Sequence, residues 1–355
     1  MSELSISSNK IINLSDIFKK YKSSYTSAFI DFSIHTFIMC SLFYSLWYFR
    51  NNWFSILIVP FLGLMFVRSF IVFHDCCHNS YTPNKTLNYV ISHIMGILML
   101  TSPNWYLDHN THHMVNGNIE NKQHYFFNET IILTKKQFLK NKKQQSLYTF
   151  YKNPLVFFTI VPIIYFGIYQ RFIYIVKKYR HPSAFVKSLF GIILDHIINN
   201  VLLCLYIYMI YNFGLMWQLI GGIILASSIG FCLFHNQHSF NPAYVVENDK
   251  WSKQDSGLLG SSFIQIPYLL KYFFMGIEYH HIHHMNAKIP GYNIQAYHEE
   301  ISSKSNMFDS IKVLSITECY NNLWLVLYDE DKKKYITFTE VGTETDKEIK
   351  KEKCT

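Results

Sequence analysis

Histidine is the residue type that stands out, and its spacing matters more than its number. The chain holds 17, and most fall into four short strings: HDCCH at His74–His78, HNTHH at His109–His113, HNQH at His235–His238 and HHIHH at His280–His284. On a helix, positions i, i+3 and i+4 share a face. His74 and His78 would then point together, as would His109 with His112 and His113, and His280 with His283 and His284. Neutral imidazole suits borderline transition metals, iron among them. Eight or nine such ligands exceed what one ion can take, so the spacing predicts two metals. Histidines can also cap helices or meet lipid phosphates, and a single pair such as HDCCH is weak evidence. Four clusters at short spacing point to a multi-histidine metal site.

Something must bring these strings together, and composition says what kind of scaffold does it. Of 355 residues, 50% are apolar and only 16% charged, where a soluble protein carries roughly a quarter. Aromatics reach 17%, led by 30 Phe and 26 Tyr. A disordered chain or a disulfide scaffold has a different composition. The seven cysteines include no CxxC pair, so thiolate zinc is not expected. The net charge of +8 comes from basic residues lying between apolar segments. That distribution fits membrane topology and anionic headgroups rather than a nucleic-acid partner. The N-terminus, MSELSISSNKIINLSD, is polar and lacks the pattern of a secretory signal.

Four stretches are long enough to cross a hydrocarbon core of about 30 Å: Phe32–Phe49, Phe54–Phe73, Ile192–Tyr211 and Leu215–Leu233. RNNW joins the first pair and NFG the second, so the fold class is all-α integral membrane, with four spans in two hairpins. Tyr89–Leu100 is too short to span and reads as a re-entrant or buried piece. Leu155–Val176 is long enough but contains Pro162, Gln170 and Arg171, and a crossing there would put the later histidines on the wrong side. It is therefore laid on or partly into the leaflet as an interfacial helix. The basic stretches 10–22, 135–143 and 177–187 are assigned to the cytosol, with both termini and the histidine-rich cap on that side.

The boxes HxxxH (His74/His78), HxxHH (His109/His112/His113) and HxxHH (His280/His283/His284) resemble those of the membrane fatty acid desaturases. The strings RSFIVFHDCCHNSY, HNTHHMVNGNIE, FHNQHSFNPAYV and GSSFIQIPYLLKYFFMGIEYHHIHHMNAKIPGYN are similar to acyl-lipid desaturases of the delta-12 (omega-6) and bacterial delta-5 kinds. The likeness covers about residues 30–300, and the tail past roughly 305 has no counterpart. The domain reading follows: 1–30 a cytosolic segment, 31–300 the membrane desaturase domain, 301–355 a cytosolic extension. Within that extension, Asn321–Phe338 alternates around a YDEDKKK turn as a β-hairpin does, and the last 17 residues read as disordered.

The resemblance implies a diiron centre held by these eight histidines and by His238, between the last span and the third box. It leaves open whether His235 ligates, acts through water or orients His238. Asp75 and Asp108 read as acceptors of imidazole N–H bonds or as plain polar groups, and His281 falls outside the box register. It also implies O2 as oxidant and an acyl chain on a phospholipid, glycolipid or acyl-CoA as substrate. The expected product is a cis double bond, at delta-12 first, with delta-5 or another position, or hydroxylation, as alternatives. No GxGxxG nucleotide fingerprint and no HPGG haem motif is present, so electrons are expected from separate cytochrome b5 or ferredoxin with its reductase. The endoplasmic reticulum is the expected location in a eukaryotic host. A metal transporter would string its histidines along a crossing path rather than cluster them at one face.

Phe70, Trp105, Phe234, Phe274 and Tyr279 lie near the boxes as candidate tunnel residues. Arg68, within the second span, reads as a headgroup or snorkelling contact. His35, His93 and His196 lie in apolar segments and read as satisfied core groups.

Overall fold

The first spanning helix starts from a capped end, and the second and fourth run past their apolar stretches. In the computed structural model, which describes residues 14–102, 105–120, 132–173 and 189–342, α1 is Leu14–Lys20 and α2 is Tyr25–Tyr48. Ser24 caps α2 by accepting the Ser27 N–H at 3.0 Å. α3 (Phe54–Cys77), the short α4 (Lys85–Leu98) and α5 (Trp105–Val115) follow. Next come α6 (Lys135–Lys140), α7 (Lys142–Tyr151) and a helix with π turns, α8 (156–173), bent 64° from α7. α9 (Leu189–Asn212) and α10 (Met216–His238) complete the long helices. The expected segment 177–187 and the polar ends 1–13 and 343–355 lie outside the described residues.

Among the described residues four helices are long and apolar enough to cross a membrane: Tyr25–Tyr48, Phe54–Cys77, Ile193–Asn212 and Met216–His238. Phe29, Phe37, Leu205 and Trp217 are exposed on them, as lipid-facing side chains are. The second and fourth run four and five residues beyond the predicted ends at Phe73 and Leu233. Apolarity stops there, but the helix does not, because the polar residues that follow turn inward onto other protein groups. His74 and His238 thus sit on rigid last turns. α3 and α10 pack closely. A Cβ on Gly222 would lie 3.0 Å from Leu62 Cδ2, so glycine lets the backbones approach.

Smaller elements position the third box. α11 (Lys253–Leu258) packs on α13 (His280–Met285), and α12 (Lys271–Phe274) packs on α3. β1 (Phe263–Ile264) pairs in parallel with β2 (Val313–Leu314) beyond α14 (Gly291–Lys304). After α15 (Ile316–Asn322), β3 (Leu327–Asp329) and β4 (Lys334–Ile336) form an antiparallel hairpin. The first residues of the predicted hairpin, Asn321 and Asn322, are instead the end of α15, which the Ser315–Glu318 capping box starts. Residues 338–342 form one more helical turn.

The reading of Arg68 is corrected. Arg68 is buried, its guanidinium pairs with Asp31 of α2 and the Tyr272 carbonyl, and it lies 4.1 Å from the Tyr272 ring centroid. Asp31 also accepts the Tyr81 hydroxyl at 2.9 Å. A charge in this position finds a protein partner more cheaply than it reaches a headgroup. His93 bonds Asp195 at 2.7 Å and His35 bonds Ser69 at 3.1 Å, while His196 is buried.

Asp31→Leu strands the Arg68 charge, so it is expected to cost about 3 kcal/mol. Adding Arg68→Met should recover part of that loss. Thermal unfolding in detergent checks this, and a single variant as stable as wild type would refute the pairing's role.

Candidate metal centre

The boxes converge, but not box by box. His74, His78, His109, His113 and His283 form one group, and His112, His238, His280 and His284 a second; within each, one nitrogen per ring lies within 4.8 Å of all the others. At 100° per residue, i and i+4 are only 40° apart, whereas i+3 falls on the other side of i. On α5, His109 and His113 therefore join the first group and His112 the second. On α13 the pattern inverts: His280 and His284 join the second and His283 the first. Each HxxHH box thus straddles both groups, which ties the two sites together.

Nε2 atoms face one another. In the first group His74 lies 3.0 Å from both His109 and His283, and His113 lies 3.0 Å from His109 and 2.8 Å from His283. In the second, successive separations from His112 through His238, His280 and His284 are 2.9, 2.9, 3.1 and 3.1 Å. Ligands about 2.1 Å from one ion stand about 3.0 Å apart at right angles and about 3.4 Å apart in a tetrahedron. The observed spacings fit those edges. His78 Nε2 is buried with no hydrogen-bond partner, as a nitrogen awaiting a cation would be.

Burial, and then neighbouring imidazoles, hold His78, His109, His112, His113, His280, His283 and His284 well below the usual histidine pKa. Neutral rings are the metal-binding form. Tautomers are fixed at two places. His74 Nδ1–H donates to Asp75 at 3.1 Å, and Asp75 also accepts the Gly291 N–H at 2.6 Å. His238 Nδ1–H donates to the Gly260 carbonyl at 2.9 Å. Both contacts leave Nε2 as the nitrogen available to a metal.

Other candidates fall elsewhere. His235 Nε2 donates to the Asn322 carbonyl at 2.8 Å and joins neither group. Asp108 accepts from the Gln170 amide at 3.1 Å and the Tyr165 hydroxyl at 3.4 Å. His281 is fully buried, not superficial, and its Nε2 lies 3.1 Å from His298 Nδ1. The Gly260 carbonyl and Gly291 N–H could not be found from sequence, because backbone groups carry no signature.

A largely apolar cavity of about 200 Å³ opens onto both groups, with His74, His109, His112 and His280 in its wall. Phe70, Trp105 and Phe234 line it as expected, and Trp105 stacks on His109 at 4.4 Å. Phe274 and Tyr279 do not; Tyr279 stacks on Phe263 instead. Sequence reasoning missed Tyr165, Phe166 and Tyr169 of α8, which wall the cavity rather than rest wholly on a leaflet. Pro162 and Gln170 were the signal, being odd residues for a lipid-facing segment.

The sequence matches the family described as "Fatty acid desaturase" over residues 51–309. It is 30% identical over 278 residues to a fatty acid desaturase of Bacillus subtilis (strain 168), covering 76% of this chain and 74% of that protein. Shorter matches include an endoplasmic reticulum omega-3 fatty acid desaturase of Vigna radiata var. radiata, 39% identical over 20% of this chain and 19% of its own. An sn-1 acyl-lipid omega-3 desaturase (ferredoxin) of Synechocystis sp. is 34% identical over 24% of each chain.

The purified chain is expected to carry two metal ions. His283→Ala and His112→Ala should each lose about one of them, whereas His281→Ala and His235→Ala keep both. Elemental analysis by mass spectrometry reads the stoichiometry, and full loading of either ligand variant would overturn the grouping.

Proposed function

The chain belongs to the fatty acid desaturase family, and from that premise we propose that it is an O2-dependent acyl-lipid desaturase with two irons, inserting a cis double bond at delta-12. One observation carries the reading: an apolar cavity of about 200 Å³ ends on both histidine groups at once. Its substrate is an acyl chain on a phospholipid, glycolipid or CoA. A separate donor supplies electrons, either cytochrome b5 or a ferredoxin, the latter being part of the Synechocystis relative's name.

Per double bond, –CH2–CH2– and O2 take up two electrons and two protons to give –CH=CH– and two waters. A saturated carbon offers no acid, base or electrophilic handle, so iron bound by His74, His78, His109, His113 and His283, and by His112, His238, His280 and His284, would supply the oxidising power. The protein's part is placement. Phe70 and Phe166, edge to face at 5.8 Å, exclude water and confine the chain. Trp105, flat against His109, fixes that ring at the cavity wall. Asp75 and the Gly260 carbonyl hold the His74 and His238 rings with Nε2 inward. Rings held in this way lose little on reorganisation during turnover.

The histidine face is placed in the cytosol with both termini, and in a eukaryotic host on the endoplasmic reticulum. Lysines at 135, 136, 140, 142 and 143 support that side. Residues 31–300 carry the reaction and 301–355 extend it. Position delta-12 rests on the likeness of the box strings. The omega-3 names of the partial relatives favour a second reading, desaturation at omega-3.

Expression in a yeast that makes 16:1 and 18:1 but no dienes tests both. Delta-12 16:2 and 18:2, absent with His283→Ala, are expected by gas chromatography–mass spectrometry after derivatisation. No diene, but trienes on feeding 18:2, would select omega-3; a hydroxy acid would replace desaturation altogether.

A further inference from the structure

The acyl cavity is walled mainly by hydrocarbon, yet the reaction proposed above consumes two protons and makes two waters. A second cavity reaches the second histidine group from another side. It measures about 40 Å³, and at roughly 10–15 Å³ for each water it holds about three. Its polar lining is Tyr148, Lys152, His235, His238, Ser239 and Tyr335. Of the nine clustered histidines, eight are buried and only His238 is partly exposed. His238 is the one of the nine that borders this cavity.

Part of its wall is Leu325, Val326 and Tyr335, which lie beyond the family match ending at residue 309. Specific bonds hold that wall in place. The Asn322 carbonyl takes the His235 Nε2–H at 2.8 Å, which leaves Nδ1 as the acceptor of the ring. The Asn241 amide donates to the Tyr335 carbonyl at 2.9 Å, and its oxygen accepts the Tyr335 N–H at 2.8 Å. The Tyr148 hydroxyl donates to the Val326 carbonyl at 3.3 Å. Lys152 sits half-buried at the rim, its ammonium 3.8 Å from the Phe157 ring centroid.

We propose that this cavity is the proton inlet and water outlet of the metal centre, with Lys152 passing protons inward and the C-terminal segment forming its outer wall. The proposal rests on the desaturase reading. In each turnover two protons travel from solvent through Lys152 and cavity water and end in the two waters formed from O2. The two electrons come from the external donor, and the acyl chain loses two hydrogens.

Two arms test it. In the purified metal-loaded protein, the thiol introduced by Ser239→Cys should react with iodoacetamide, and adding Leu325→Trp, which fills the cavity, should slow that reaction at least about ten-fold. Peptide mass spectrometry separates this thiol from the native cysteines. No reaction, or an unchanged rate, overturns the wet cavity. With metal bound at wild-type content, Lys152→Met and Leu325→Trp should each slow diene formation by about 10²-fold, the scale of lost acid–base assistance, and raise the solvent deuterium isotope effect. Lys152→Arg keeps the charge but holds its proton, and should stay slow. If Lys152→Met loses metal, Leu325→Trp decides alone, and undiminished turnover in it overturns the proposal. A wild type that makes no product sinks the desaturase reading instead, which the labelling arm does not depend on.

Discussion

The mutual approach of neutral imidazole nitrogens is the constraint on which the rest depends. Nε2 atoms stand 2.8–3.1 Å apart around each group, and burial disfavours protonation of His109, His112, His113, His280, His283 and His284. Lone pairs so placed repel unless a cation lies among them. Burying eight such rings is therefore costly without a cation and favourable with one, which would couple folding to metal loading at this point. The scaffold's task is to hold the rings in the correct orientation without offering them competing donors.

Rigid helix ends meet that need. α3 and α10 carry His74 and His238 on their last turns, and glycine at the α3–α10 contact lets the two helices lie close. The short helices α5 and α13 each give histidines to both groups, so neither group could shift alone. Asp75 links two parts of the design. It holds the His74 ring and at the same time accepts the N–H that starts α14, which follows the third box. Arg68, two turns earlier on α3, is tied to α2 and to the α12 backbone through Asp31 and Tyr272. The strand-to-box connection is therefore anchored to the membrane helices at two levels.

Much of this was legible in the sequence, for identifiable reasons. The boxes could be read because i, i+3, i+4 spacing is a local property of one helix, and apolar runs could be read because the bilayer fixes their length. Their partition between two sites could not, since it depends on how α5 and α13 face each other. The fate of Arg68 was misjudged because its partners lie 37 and 204 residues away. His235 and His281 are chemically identical to the clustered histidines, and only tertiary contacts, to Asn322 and His298, separate them from the clusters. α8 was hidden by its own irregularity: π turns and buried polar side chains do not produce the continuous apolar face of a span.

The segment beyond residue 309, where the family match ends, packs into the wall beside the second histidine group. Its hairpin buries Leu327 and Ile336 against Leu133 and Phe138, and Tyr328 N–H donates to the Leu133 carbonyl at 3.0 Å. Lys135 and Asp329 pair at 3.3 Å, with the carboxylate almost wholly buried. These contacts fasten the segment to the chain between the second box and α8, and Asn322 and Asn241 fasten it to the end of α10. An appendage free to move would need none of them. A wall beside His238 needs all of them, because the small volume there is set by side chains from both parts of the chain. Displacing either would join that volume to bulk water and expose the second histidine group, whose neutral, desolvated state depends on its enclosure.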